Sequence, residues 1–227
     1  MKSEVFTQKI RLSGEEKIIV KIKEHEDEVS DALKDVRHFA LAEIYGVERR
    51  DGKTFVEEEF VYGISLDGVL RGKGLPIGWS EEFSVEEIAG IGVQLCKGVR
   101  VLHGLKQPIL HGDIKPENVI LQKRNPISVK LIDCDDGFFW RPNTCYPTMK
   151  GTPGFCAPEQ TTAGVCDYTV DVYGVGRTLD FLLLGSPTTM GRKRKMLSSI
   201  IKKATNESPK ERYITIRELE DELKTVL

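Results

Sequence analysis

The chain lacks any long hydrophobic run. No apolar stretch in its 227 residues reaches the roughly 18 positions that a membrane helix needs. The opening MKSEVFTQKI has no apolar core of signal-peptide length. Both absences predict a cytoplasmic protein without a membrane partner. An excess of one charge is missing as well. The balance of 33 Lys and Arg against 35 Asp and Glu leaves −2, which gives no electrostatic footing for nucleic acid or an anionic surface. RKRK (Arg192 to Lys195) is a local exception and reads as the solvated start of a helix. The five cysteines (Cys96, Cys134, Cys145, Cys156, Cys166) contain no C-x-x-C pair, so reduced thiols are expected and a zinc site is not. No internal repeat or low-complexity segment interrupts the chain.

What is present is enough for a core. Hydrophobic residues make up 40% and charged residues 30%, within the length of one or two small domains. Val5 to Leu12 and Lys17 to Glu24 are β-rich runs separated by SGEE, which predicts a hairpin. Glu26 to Val36 has helical spacing, with Val29, Leu33 and Val36 on one face. AEIYGVERRDGKTFVEEEFV reads as two strands around the Asp51-Gly52 turn. The character changes after GISLDGVL. Ser84 to His103 reads as a long amphipathic helix with Ser84 as cap and Glu87 at the capping-box position. Asp171 to Leu184 predicts a buried apolar helix, followed by helices over Lys195 to Thr205 and Ile214 to Leu227, the last capped near Thr215. A sheet-rich front and a helical back predict an α+β architecture with two lobes, 1–61 and 62–227, joined near Val61 to Gly63.

HGDIKPENVIL (His111 to Leu121) carries the chemistry. Asp113 can accept a proton from an attacking hydroxyl. Lys115 can neutralise phosphate charge, and the Asn118 carbonyl suits a hard cation such as Mg²⁺. Downstream, VKLIDCDDG is an apolar strand ending in Asp133, well placed to hold a metal that bridges nucleotide phosphates. A base, a cation and two metal ligands are what phosphoryl transfer requires, because its catalysis is mostly positioning and charge neutralisation.

At these residues the chain resembles the eukaryotic-type Ser/Thr protein kinases. HGDIKPEN is similar to the catalytic loop H-R-D-x-K-x-x-N, and DCD (Asp133 to Asp135) stands where D-F-G is expected. GTPGFCAPEQ resembles the end of an activation segment, with A-P-E at Ala157 to Glu159. DVYGVG (Asp171 to Gly176) resembles the family's D-V-W-S-L-G helix start, and Arg212 stands where an arginine pairs with the A-P-E glutamate. Five motifs in order over Glu59 to Leu227 make the match specific. The resemblance implies a two-lobed kinase fold, ATP with Mg²⁺ or Mn²⁺, and a protein substrate. It implies Asp113 and Lys115 as catalytic residues, Asn118 and Asp133 as metal ligands, and Lys21, Glu28, Glu59 and Val61 as cofactor-binding residues. His111, Asp171 and the Glu159–Arg212 pair read as structural supports.

Departures from the pattern carry expectations of their own. No G-x-G-x-x-G occurs before Lys17, so the first strand and its phosphate-covering loop are expected to be missing, with weak ATP binding or a lid from elsewhere. IIVKIK resembles V-A-I-K, with Lys21 as the phosphate lysine and Lys23, on the same strand face, as the alternative. The family's helix glutamate falls at Val29. Glu28, one residue off register, is therefore the expected partner of Lys21, with Glu58 at the gatekeeper position as the fallback. Gly112 replaces the arginine that would answer an activation-segment phosphate, and Asp135 replaces the glycine of D-F-G. The helix that follows Leu184 in the family, and often docks substrates, is expected to be deleted. Two alternatives stay open. One is a small-molecule kinase of the aminoglycoside or choline kinase type, which shares HGD but not GTPGFCAPEQ. The other is a pseudokinase that works as a binding module.

Overall fold

The computed structural model describes residues 7–13, 16–77, 79–144, 151–162, 164–186 and 191–227. Strands β1 (Thr7–Ser13) and β2 (Glu16–Lys23) form the expected antiparallel hairpin. Residues 14 and 15, between them, lie outside the described residues. After β2 comes a short helix, α1 (Glu28–Leu33). It starts later than the periodicity suggests because Asp27 caps it, its side chain accepting the Ser30 N–H, and it ends at Leu33 with Lys34 as its C-cap. Strands β3 (Ile44–Arg50) and β4 (Lys53–Glu59) follow. They turn at Asp51 and Gly52, with φ of 52° and 73°. Positive φ at both positions matches the twist of the flanking strands. The sheet order is β1-β2-β4-β3, so β2 and β4 are its inner pair.

Along β4, Thr54, Val56 and Glu58 are buried while their neighbours are less so, the period-two signature of a strand covered on one face. Lys21 of β2 stands opposite Val56, which puts Lys21 and Glu58 on that same covered face as diagonal neighbours.

The chain crosses to the second part through Gly63, whose φ of 152° excludes most side chains. A Cβ there would sit 2.4 Å from the Leu121 carbonyl oxygen. The second part begins with β5 (Ile64–Ser65) and α2 (Leu66–Leu70), then α3 (Val85–His103). The α3 start is the expected capping box. Ser84 Oγ accepts the Glu87 N–H, and the Glu87 carboxylate accepts the Ser84 N–H. Next come β6 (Ile109–Leu110), β7 (Val119–Arg124), β8 (Ile127–Leu131), β9 (Phe138–Phe139) and α4 (Pro158–Thr161). Helices α5 (Thr169–Leu184), α6 (Arg192–Ala204) and α7 (Ile216–Lys224) complete the chain. Helix α5 starts two residues before Asp171 because Asp167 accepts the Thr169 N–H. Helix α6 takes in all of RKRK, and α7 is capped by Thr215. No substrate-docking helix intervenes among the described residues between Leu184 and Arg192; residues 187–190 are not among them.

One apolar core runs through both parts. It joins Val29, Leu33, Leu41 and Val56 to Ile88, Leu95 and Leu102 of α3, Leu179 of α5, Leu197 of α6 and Leu223 of α7. Each such side chain contributes roughly 1.5–3 kcal/mol when fully buried. Leu131 N donates to Ala40 O at 2.8 Å and Ala42 N donates to Leu131 O at 2.9 Å, tying the sheet side to the end of β8 two residues before Asp133. The small antiparallel sheet and helical remainder are the α+β arrangement expected of the two-lobed reading. No described helix is long and apolar enough to cross a membrane.

Candidate active site

The loop from His111 to Asn118 leaves β6 and returns as β7. It is held from below by Asp171, in the first turn of α5 and fully buried. The Asp171 carboxylate accepts the backbone N–H of His111 at 2.9 Å and of Gly112 at 2.8 Å, and lies 2.8 Å from His103 Nε2. Burial opposes its charge, but the His103 contact and these amides hold it below the usual carboxylate range. His111 is 1% exposed and packs under the loop, its ring 3.1 Å from the Ile132 carbonyl oxygen. Gly112 has φ 71°, and a Cβ there would meet the Phe138 ring at 2.7 Å, so this backbone has no room for the arginine of the family pattern.

Asp113 is the centre of a triangle. Its carboxylate sits 2.7 Å from Lys115 Nζ and accepts the Thr152 N–H at 2.9 Å and hydroxyl at 2.8 Å. Lys115 Nζ also donates to Thr152 Oγ1 at 2.6 Å. Burial works against Asp113 ionising, yet Lys115 and Thr152 hold it below the ordinary aspartate value. Glu159 and Arg212 anchor the far end of the same segment by two contacts of 2.6 and 2.9 Å.

Asn118 donates from Nδ2 to the Asp113 carbonyl at 3.0 Å, while its backbone oxygen accepts the Ile132 N–H at 2.9 Å. The second bond ties Asn118 to the residue just before Asp133, the other expected metal ligand. Asp133 has a left-handed backbone, φ 60° and ψ 31°, rare for a residue other than glycine.

Lys21 is 2% exposed and saturated by carboxylates. Its Nζ lies 2.5 Å from Glu58, 2.6 Å from Asp135 and 2.7 Å from Asp133. Burial would lower its pKa, but Asp135, Glu58 and Asp133 raise it well above the usual lysine value. Lys23, equally buried, pairs with Asp27 at 2.5 Å and Asp135 at 2.6 Å. The expectation of Glu28 as the Lys21 partner is therefore corrected. Glu28 is exposed at the start of α1 on the rim of a cavity beside Lys23, and Glu58 makes the pair. The sheet explains this. A diagonal strand neighbour reaches the ammonium directly, whereas Asp27 fixes the α1 start with Val29, not Glu28, facing the core.

Glu59 ends β4. Its carboxylate binds Lys130 at 2.5 Å and accepts the Glu43 N–H at 3.1 Å. Val61 is half-buried in the crossing segment just beyond. Glu58, Asp133 and Asp135 place carboxylate oxygens within 4.8 Å of one another, with the Lys21 ammonium in contact with all three. Three contributors escaped the sequence reading. Thr152 follows the glycine of the quoted GTPGFC but had no role assigned, and Asp135 registered only as a lost glycine. Asp27 carried no signal, although two lysines on one covered strand face required buried anions.

An aspartate on the loop between β6 and β7, a paired lysine on β2 and an aspartate just after β8, between a sheet and a helical part, are the arrangement of the kinase class. The protein kinase domain model matches residues 3–227, and the chain belongs to that family. It is similar to the serine/threonine-protein kinase PknG of Mycolicibacterium smegmatis, 30% identical over 213 residues, covering 86% of this chain and 26% of that protein. A probable myosin light chain kinase of Dictyostelium discoideum is 27% identical over 214 residues, covering 92% and 58%. A G-type lectin S-receptor-like serine/threonine-protein kinase of Arabidopsis thaliana is 29% identical over 161 residues, covering 70% and 18%. The chain thus spans between 18% and 58% of the length of these relatives.

Proposed function

We propose that the chain is an ATP-dependent protein kinase that phosphorylates serine or threonine hydroxyls. The observation that carries this reading is the Asp113–Lys115–Thr152 triangle, whose Asp113 and Lys115 share a loop with Asn118, one strand pair away from Asp133. Asp113 accepts a hydrogen bond from the acceptor hydroxyl, orients it and takes its proton. Its depressed pKa keeps it ionised for that role at neutral pH. Lys115 offsets charge on the group in transfer. Lys21 binds nucleotide phosphate, and Glu59 and Val61 border the adenine end. Asn118 and Asp133 hold Mg²⁺, or Mn²⁺ through the same oxygens. A metal held by Asn118 and Asp133 would supply charge neutralisation to the phosphoryl group in transfer. Lys115 and the names of the relatives support Ser/Thr over Tyr. The Glu159–Arg212 anchor of GTPGFCAPEQ supports a protein over a small-molecule acceptor.

One observation favours a second reading, a pseudokinase binding module. Lys21 is already met by three carboxylates, and nucleotide phosphate must displace or share them. The readings separate on incubation with labelled ATP and Mg²⁺ or Mn²⁺, in the presence of generic protein and small-molecule acceptors. Label on protein supports the kinase. Label on small molecules alone, or none, overturns it. In calorimetry Asp133→Asn is expected to lose metal-dependent nucleotide binding, while Asp113→Asn binds but does not transfer. Wild-type binding by Asp133→Asn would remove the metal assignment.

A further inference from the structure

Asp135 stands where the family pattern has a glycine, and it is 3% exposed. One carboxylate oxygen lies 2.6 Å from Lys21 Nζ, the other 2.6 Å from Lys23 Nζ. Lys23 also donates to the Asp135 backbone oxygen at 3.1 Å. From Lys21 the contacts continue to Glu58 on β4 and to Asp133. From Lys23 they continue to Asp27, the cap of α1. A continuous buried line of charge thus runs from β4 through β2 to the start of α1, with Asp135 at its middle. Removing one member leaves an uncompensated buried charge, so the line resists partial opening.

The geometry points to Asp135 as a positioning residue: it clamps the Asp133–Gly137 segment to β2, and so holds Lys21 extended and Asp133 in its left-handed backbone without a glutamate from α1. The inference rests on the kinase reading for its kinetic consequence only. The clamp itself is a property of the ligand-free chain. Two features distinguish it from ordinary core packing. The same carboxylate meets both the proposed phosphate lysine and the neighbouring lysine. The strained residue it steadies, Asp133, is the proposed metal ligand two positions away. With α1 tied through Asp27 and Lys23 to the same point, the lysine is set by the segment after β8 and not by a swing of the helix.

Hydrogen exchange on the ligand-free chain tests the clamp. In Asp135→Asn and in Lys23→Met, the amides of residues 133–139 are expected to exchange about ten-fold faster than in wild type, while α3 amides keep wild-type rates. The double variant should exchange no faster than either single one, and Asp135→Glu should restore part of the protection. In the kinetic arm, the KM for ATP should rise about ten-fold in Asp135→Asn with the KM for the protein acceptor unchanged. Should Asp135→Asn fail to fold, Lys23→Met and Asp135→Glu carry the same comparison. Wild-type exchange at 133–139 in the single variants, additive acceleration in the double, or an equal acceleration throughout α3 would overturn the clamp. A wild-type chain that transfers no phosphate defeats the kinase reading instead, and the exchange arm still decides the clamp.

Discussion

Glu58 is a carboxyl group in competition. Around it, Lys21 and Lys23 meet four carboxylates, those of Glu58, Asp27, Asp133 and Asp135. Burial, and then the neighbouring anions, outweigh the pull of Lys21 and push Glu58 up to about 7 from its ordinary 4.5. Asp135 goes the other way. Burial opposes its charge, but two ammonium contacts hold it well below the aspartate range. The signs follow from proton counts. Between pH 4.5 and about 7 the folded chain keeps a proton on Glu58 that the unfolded chain has lost, so this group's contribution falls as pH rises through that window. The Asp135 contribution is present above its unfolded value and is lost as pH falls below it. Denaturant titrations across pH 4.5–7 should therefore show a stability slope in wild type that flattens in Glu58→Gln. In a steady-state ATP assay, Glu58→Gln should raise the KM or lower turnover by about ten-fold, roughly 1.4 kcal/mol, and Glu28→Gln should behave as wild type. Impairment of Glu28→Gln alone would return the helix to the role of lysine partner.

At the scale of elements, supports and chemistry are separable. Helix α3 carries no proposed site residue, and its capping box adds only to folding. Ser84→Ala is expected to cost about 1 kcal/mol in urea unfolding with turnover unchanged. The segment ending in α4 is different, because one end holds Thr152 against Asp113 and the other is pinned by Arg212 to Glu159. Arg212 is buried, so Arg212→Met leaves Glu159 without its partner and is expected to cost about 3 kcal/mol. Turnover should fall with it, since the Thr152 contact depends on the same segment. A variant that loses stability but keeps full turnover would show that the two ends act independently.

For the molecule as a whole, the question is what controls it. Gly112 has no side chain to pair with phosphate, and neither its backbone nor Phe138 leaves room for one. Phosphatase treatment of the purified chain is therefore expected to leave its transfer rate unchanged. A ten-fold drop would mean that another cation answers the phosphate; Lys150, the nearest in sequence to the GTPGFC motif, lies outside the described residues. The line of charge from β4 to α1 acts at the same scale. It joins the sheet, the helix and the start of the activation segment, so the two parts meet through charge as well as through the shared apolar core.

The sequence by itself determined what depends on local order. Alternation and turn residues marked the two hairpins, the Ser84 and Thr215 caps marked α3 and α7, and HGDIKPEN set Asp113, Lys115 and Asn118 on one loop because a loop of eight residues has little freedom to separate them. Asp171 beneath that loop and Arg212 on Glu159 were also legible, since their motifs name their partners. Only the tertiary structure decided which acid meets Lys21. That choice depends on strand register, which sets Glu58 diagonal to Lys21, and on where Asp27 starts α1, which leaves Glu28 at the surface. It also decided that Asp135 is a bridge and not merely a lost glycine. Contacts between residues more than a hundred positions apart leave no trace in the spacing of either segment, because they form only when β2 and the end of β8 pack against each other.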